Sequence, residues 1–166
     1  LLERGYGRVA FLMENSNPTA NANWGNRLFG LAGELALLGC EESVRRLDFA
    51  PNDEKALAAL MRSKARPDAI VCGNDEHAAT LVKALNRIGR RVPGDVAVVG
   101  FDDIDVARAT TPPLTTISQP VKRLAATAFK TLLARIRYPN NDPREILLDA
   151  PLVARKSTCV SPKMIW

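Results

Sequence analysis

The stretch that decides the fold consists of two phrases, Arg66-Pro-Asp-Ala-Ile-Val-Cys-Gly-Asn-Asp75 and Arg91-Val-Pro-Gly-Asp-Val-Ala-Val-Val-Gly-Phe-Asp-Asp103. Each contains a short, almost continuously apolar run, Ala69–Cys72 or Val96–Gly100, which is typical of strands buried on both faces. Between them, a helix is predicted that Asn74 or Asp75 caps and Gly89 ends. Its apolar positions recur with helical periodicity: Ala78, Leu81, Val82, Leu85 and Ile88. The phrases therefore predict a β-α-β unit with parallel strands.

The same alternation extends toward the start of the chain. Strands are predicted at residues 8–14 and 44–49, with a helix over residues 24–38 between them. A further helix is predicted over residues 52–63, with Asn52 as its cap. This regular succession of strands and helices indicates an α/β fold with a doubly wound parallel sheet.

The pattern changes after residue 101. Residues 102–114 contain Pro112-Pro113 and are predicted to form a loop with room for one short turn. Pro120 is predicted at the first position of a helix, because its fixed φ suits that position and its missing N–H costs nothing there. The elements expected in this part are a β-branched strand, that helix and two more short strands, at residues 115–118, 120–137, 145–148 and 152–154.

Composition excludes several classes of protein. The chain has 166 residues, 46% of them hydrophobic, and a net charge of +5, which is ordinary for a globular domain. No apolar run reaches the length of about 18 residues that a membrane span needs, and no basic leader with an apolar stretch opens the chain. The basic residues are scattered over several elements, which favours solvated faces over a nucleic-acid surface. Three cysteines without a CxxC pair fit a reducing cytoplasm, so a cytoplasmic location is predicted.

Motifs for catalysis are absent from the sequence. It contains no GxGxxG fingerprint, no phosphate-binding P-loop and no nucleophile elbow. The single histidine, His77, falls in the first turn of a predicted helix, where a surface or capping position is favoured over a catalytic or metal role. Asp102-Asp103 could mimic an acid pair for Mg²⁺ or phosphate transfer, but no positioned lysine or threonine motif accompanies it. No cofactor, metal or catalytic residue is therefore predicted, and the chain is not expected to be an enzyme.

Polar and aromatic residues follow the predicted strands at the edge where open parallel sheets bind ligands. A polar loop from Asn15-Ser-Asn17 leads to Arg27, and Phe49, Asn74 and Asp102 follow the next three strands. Such a set suits a polyhydroxylated small molecule, because carboxylates and amides hold hydroxyls and a guanidinium forks to two oxygens. Each member also has a structural alternative: Asn74 as a helix cap, Phe49 as core and Asp102 as a turn former. Arg27 is the least expected, because it interrupts a mostly apolar helix.

The chain also resembles a known family. The two phrases quoted above, together with Thr111-Pro-Pro-Leu-Thr-Thr-Ile-Ser-Gln-Pro120 and Leu152-Val-Ala-Arg-Lys-Ser-Thr158, are similar to the effector-binding domain of the lactose-repressor/galactose-repressor family of bacterial transcription regulators. The resemblance implies a two-lobed fold of the type I periplasmic-binding-protein kind, with a small-molecule effector between the lobes. It also implies that Asn74, Asp102, Arg27 and Phe49 contact that effector. The Asn-rich stretch at residues 14–23 matches no effector class, and the lack of a purine-type arginine there favours a sugar or related polyol.

The resemblance further assigns parts of the chain to lobes. Residues 1–114 correspond to the C-terminal lobe, residues 115–150 to a returning segment of the N-terminal lobe, and residues 151–166 to the closing strand and tail of the C-terminal lobe. Crossings between lobes are expected near residues 116–118 and at Ala150. The sheet that would cover the helix over residues 120–137 is expected to lie mostly upstream of this chain. Its apolar face, which needs such cover, comprises Leu124, Ala125, Ala128, Leu132 and Ile136.

Partners follow from the same resemblance. A symmetric homodimer is expected, with the helix over residues 75–88 and the loop over residues 104–113 as contact surfaces. Operator DNA is expected to bind only through a helix-turn-helix that is absent from this chain, and no membrane partner is predicted. The alternative function is that of a solute-binding protein of a sugar transporter, which shares the fold but lacks the second phrase.

Overall fold

The computed structural model describes residues 1–13, 18–40 and 44–159, with residues 18–22 as backbone only. Strands and helices alternate as far as β4, and a less regular part follows. In chain order the elements are β1 Val9–Met13, α1 Pro18–Leu37, β2 Val44–Asp48, α2 Glu54–Arg62, β3 Ala69–Cys72, α3 Asp75–Arg87, β4 Ala97–Val99, α4 Asp105–Ala109, β5 Thr116–Ile117, α5 Val121–Arg137 and β6 Leu152–Val153.

The predicted parallel sheet is confirmed. Its four strands lie in the order β2-β1-β3-β4, and every neighbouring pair is parallel, with Val9 opposite both Val44 and Ala69. All five residues of the central strand β1 are buried. Because the strands are parallel, their carboxyl ends share one edge of the sheet.

Helices cover both faces of this sheet. Leu12 and Ile70 point into a cluster formed with α2, α3 and α4. Phe11 and Met13, which flank Leu12 on β1, pack with Trp24 of α1 on the opposite face of the sheet. Alternate residues of a strand face opposite sides, so the chain winds to one side with α1 and to the other with α2 and α3. The doubly wound α/β architecture predicted from the sequence is therefore present.

The chain then adds a second, two-stranded sheet at the edge beyond β4. Strands β5 and β6 are antiparallel, with Thr116 opposite Val153. Isolated parallel bridges join Val99 to Thr115 and Asp102 to Ser118, which links this small sheet to the end of β4. Ser157 anchors the closing segment, since its hydroxyl donates to the Val98 carbonyl at 2.6 Å.

Several boundaries differ from the sequence-based expectations. Helix α1 begins at Pro18 rather than at residue 24, so residues 18–23 are helical and not part of an Asn-rich loop; proline favours the first turn of a helix. The side chain that caps α2 is Asp53, not Asn52: it accepts hydrogen bonds from the backbone of Lys55 and Ala56. Residues 14–17, which include the predicted polar loop 15–17, lie outside the described residues.

The segment after β4 also departs from a plain loop. Residues 105–109 form the short helix α4, which corresponds to the one short turn predicted within the loop over residues 102–114. Leu114 is fully buried and Val106 packs against the core cluster, so these two apolar residues cover the protein's own core. Ile104, by contrast, is 41% exposed. In the loop over residues 104–113, where a subunit contact is expected, Ile104 is therefore the large apolar residue presented to solvent.

Helix α5 forms as predicted but none of its residues is buried. Pro120 is its cap rather than its first residue. The predicted strand at residues 145–148 is absent, because no described strand offers it a backbone partner. The exposed side chains of α5 include Leu124, Phe129, Leu132, Leu133 and Ile136. The expectation that this apolar face finds no cover within the chain is thus confirmed for the described residues.

We predict that Asp53→Ala lowers the free energy of unfolding by about 1 kcal/mol, because two backbone N–H groups at the start of α2 lose their acceptor. Urea unfolding followed by circular dichroism measures this change. Asn52→Ala is the matched control and should stay within roughly 0.5 kcal/mol of the wild type. An equal loss in both variants would show that Asp53 is not the cap.

Candidate ligand-binding site

Arg27 of α1 reaches across the carboxyl edge of the sheet. Its guanidinium lies 3.9 Å from an oxygen of Asp102 and 3.8 Å above the centre of the Phe101 ring. It also donates a hydrogen bond to the carbonyl of Gly73 at the end of β3. Burial lowers the pKa of Arg27, while the Asp102 carboxylate raises it. The cation thus has an acceptor and an aromatic face, which explains an arginine within an otherwise apolar helix.

Asp102 stands directly after β4 in an unusual backbone conformation. Its φ is 117° and that of Asp103 is 57°, both in the region that side chains disfavour. Its backbone N–H donates to the Ile117 carbonyl at 2.9 Å, and its carboxylate accepts from the amide of Gln119. The predicted site residues Arg27 and Asp102 are therefore brought together, and Gln119 joins them.

Gln119 has no role in the sequence-based prediction. It belongs to the phrase ending at Pro120 that carries the family resemblance, which is the one signal that could have pointed to it. Its amide bonds the Asp102 carboxylate only because the Asp102–Ser118 bridge aligns the two segments. That pairing is set by tertiary structure and leaves no trace in local periodicity.

Asn74 is a helix cap, which is the structural alternative that the sequence offered to a ligand contact. Its side-chain oxygen accepts from the His77 backbone N–H at 2.8 Å and so caps α3. The amide NH₂ group remains the part of this side chain with donor capacity toward a ligand. The preceding residue must be glycine, because a Cβ on Gly73 would lie 2.6 Å from the Trp24 ring. Trp24 in turn meets His77 edge to face, with ring centroids 4.9 Å apart.

Phe49 lies apart from the other predicted site residues. It is half-buried, packs against the core cluster and lines a shallow cavity with Leu47 and Ala56. Since β2 and β4 are separated by two strands, three spacings of about 4.8 Å put roughly 14 Å between Phe49 and the Asp102 edge. Phe49 can therefore contribute only at the rim, to a ligand that extends along the sheet edge.

A second carboxylate beside Asp102 ties the closing segment of the chain to this edge. Asp103 pairs with Arg155 at 2.5 Å and with Arg108 at 3.4 Å. Arg155 also donates to the Leu114 carbonyl at 2.9 Å. Burial opposes ionisation of Asp103, but hydrogen bonds from Arg155 and Ser118, together with the nearby positive charges, lower its pKa. Asp103 thus stabilises the backbone of the site through Arg155 and is not available to a ligand.

Beneath the polar edge lies an apolar cavity of about 430 Å³ on the α1 side of the sheet. Arg27 and Phe101 belong to its lining, whereas Asn74 and Asp102 do not. Its apolar walls include Phe11, Leu31, Val71, Val99, Ile117 and Leu152. The polar edge and the cavity are therefore separate spaces that share the stacked pair Arg27–Phe101. Within the described ranges no group of three or more potential metal ligands occurs, and no helix there is long and apolar enough to cross a membrane.

The comparisons with known proteins agree with this architecture. Residues 1–158 match the family model described as a periplasmic binding protein-like domain, and the chain belongs to that family. The HTH-type transcriptional repressor PurR of Yersinia enterocolitica is 42% identical, with 98% of this chain and 48% of that protein covered. For PurR of Proteus mirabilis the identity is 36%, over the same shares. The chain thus spans about half the length of these curated relatives.

Solved structures identify the same class of protein. The transcriptional regulator CelR in complex with cellobiose superposes with a TM-score of 0.74 at 31% identity, covering 95% of this chain and 48% of that one. A ribose-bound LacI family regulator from Enterococcus faecium superposes with a TM-score of 0.76 at 29% sequence identity. The match covers 95% of this chain and 58% of that one. The relatives of this chain are LacI-family transcriptional regulators, so the regulator interpretation is favoured over a transporter's solute-binding protein.

We predict that Gly100→Ala lowers the melting temperature by roughly 5–10 °C, because the added Cβ would stand 2.1 Å from an oxygen of the buried Asp75. Differential scanning calorimetry tests this. Gly33→Ala in α1 is the control, since nothing lies within 4 Å of its Cβ, and it should leave the melting temperature equal or slightly higher. A Gly100→Ala protein that melts like the wild type would contradict the tight packing behind the site.

Proposed function

We propose that this chain is the effector-binding part of a transcription repressor and that it binds a polyhydroxylated small molecule, a sugar or related polyol. The observation that carries the proposal is the pairing of Arg27 with Asp102 at the carboxyl edge of the sheet, with the guanidinium stacked on Phe101. Such an edge offers both donors and acceptors close to an aromatic ring. The proposed activity is binding without catalysis and without a cofactor.

Each proposed contact residue supplies a different function. The Asp102 carboxylate accepts hydrogen bonds from hydroxyl groups, while Arg27 and the amide group of Asn74 donate them. Gln119 donates a hydrogen bond to Asp102 and is displaced or shared when ligand hydroxyls bind. Phe49 packs against the C–H face of a longer ligand at the rim. Relatives of this fold have been solved with bound ribose and bound cellobiose, which supports a carbohydrate.

The response to the effector is proposed to travel through the crossings between lobes. In this proposal, residues 1–114 and 151–166 are assigned to one lobe and residues 115–150 to the other. Asp102 contacts the first crossing twice, through Ile117 and Gln119. An effector that binds Asp102 therefore acts on the backbone that joins the lobes, and lobe closure changes the affinity for operator DNA. The proposal assigns operator binding to a helix-turn-helix, because the curated relatives are named HTH-type transcriptional repressors.

We predict that Asp102→Asn in the full-length repressor weakens binding of its sugar roughly ten- to a hundredfold, since a charged acceptor is worth about 1.5–3 kcal/mol. Titration calorimetry with D-ribose, cellobiose and lactose measures this, with guanine and hypoxanthine included to test a nucleobase instead. Asp105→Asn, an equally charged but exposed neighbour, is the control and should bind normally. Unchanged affinity in Asp102→Asn would refute the site, and binding of nucleobases alone would refute the ligand class.

The full-length protein is also predicted to be a homodimer, with α3 and residues 104–113 at the contact. The exposed Ile104 is the apolar anchor that this chain contributes. Ile104→Asp should therefore raise the dimer dissociation constant at least tenfold in sedimentation velocity. Leu37→Asp, at an exposed leucine of α1, is the control. A wild type that sediments as a monomer at high concentration would contradict the assignment.

A further inference from the structure

A buried carboxylate behind the proposed site has no part in the function described so far. Asp75 is the first residue of α3 and is fully buried. It is not needed as the helix cap, because Asn74 already caps α3. Removing a carboxylate from water is costly unless it is fully hydrogen-bonded. Its position therefore calls for an explanation in terms of what it holds.

Its two oxygens hold two different segments of the chain. One oxygen accepts from the Ile104 backbone N–H at 3.0 Å, and the other accepts from the Thr116 hydroxyl at 2.6 Å. Ile104 ends the loop that carries Asp102, and Thr116 lies on the strand β5. One side chain thus joins the start of α3, the loop after β4 and the crossing strand.

The loop needs such a restraint because its backbone is strained. Asp102 and Asp103 both have positive φ, and conformations of this kind persist only where the surroundings over-determine them. On one side the loop is held by the bond from Asp102 to the Ile117 carbonyl, and directly after the strained pair by the bond from Ile104 to Asp75. Gly100 brings the backbone close enough for this, since any Cβ there would overlap the Asp75 oxygen.

We propose that Asp75 is a positioning residue for Asp102: it fixes the strained loop against β5 and, through Thr116, makes the loop and the crossing strand move together. This role rests on the proposed function only in treating Asp102 as the effector contact. Burial raises the pKa of Asp75, and its hydrogen bonds to Thr116 and Ile104 act in the opposite direction. The same hydrogen bonds therefore favour the charged form of Asp75 and hold the loop in place.

The test is backbone-amide hydrogen exchange in the full-length protein with no small molecule added, so it does not depend on what the effector is. We expect Asp75→Ala to speed exchange of the Ile104 amide tenfold or more. Because this variant removes the acceptor of both the Thr116 hydroxyl and the Ile104 amide and could unfold, Thr116→Val is the principal variant. It is nearly isosteric and removes only the hydroxyl, yet it should accelerate exchange at Ile104 several-fold, although Thr116 does not bond Ile104.

Two controls separate positioning from general destabilisation. Thr116→Ser keeps the hydroxyl and should restore wild-type exchange at Ile104. Asp53→Asn, an acid-to-amide change at the start of α2, should leave that amide unaffected. Unchanged exchange at Ile104 in Thr116→Val, or acceleration spread evenly over all amides of the sheet, would overturn the proposal. The sugar affinity of Asp102→Asn, measured by calorimetry, tests the proposed function separately, because hydrogen exchange at Ile104 is measured without any ligand.

Discussion

The structure depends on one constraint: a parallel sheet must be covered on both faces, because each strand is joined to the next by a crossover helix. β1 is buried throughout, with Leu12 facing α2 and α3 and Phe11 facing α1. Polar side chains are therefore missing from β1, β3 and β4, whose residues are all apolar, and gather where these strands end. The polar edge occupied by Arg27 and Asp102 is a direct result of that arrangement.

The edge itself is held by charge pairs that differ in purpose. Arg27 and Asp102 remain a quarter exposed and can exchange their mutual contact for a ligand. Asp75 and Asp103 lie deeper. Asp75 accepts from the Ile104 backbone N–H and the Thr116 hydroxyl, and Asp103 accepts from the Arg155 guanidinium. A site built in this way combines adaptable contact groups with a fixed support, which is what selective binding of a small molecule requires.

Local chemistry was enough to predict the elements as far as β4 and to limit the cap of α3 to Asn74 or Asp75, because apolar periodicity and capping residues act over a few positions. The sequence-based prediction chose Asn52 instead of Asp53 as the cap of α2. Asn and Asp cap helices equally well, and the two positions differ by only one residue in where the helix begins. Gln119 and Asp75 were missed for a different reason: their partners lie 17 and 41 residues away along the chain. The strand at residues 145–148 was predicted as one strand of the sheet expected mostly upstream of this chain, and a single strand does not form without a partner.

The packing of Trp24 gives the molecule an optical property of its own. Trp24 is 7% exposed as a residue, and its indole lies against Gly73, beside the capping residue Asn74, and meets the imidazole of His77 edge to face. A buried indole emits at shorter wavelength than one in water, and its emission responds to the charge and position of neighbouring rings. The protein therefore carries an intrinsic fluorophore behind the sheet edge, which can register events at Asn74 without any attached dye.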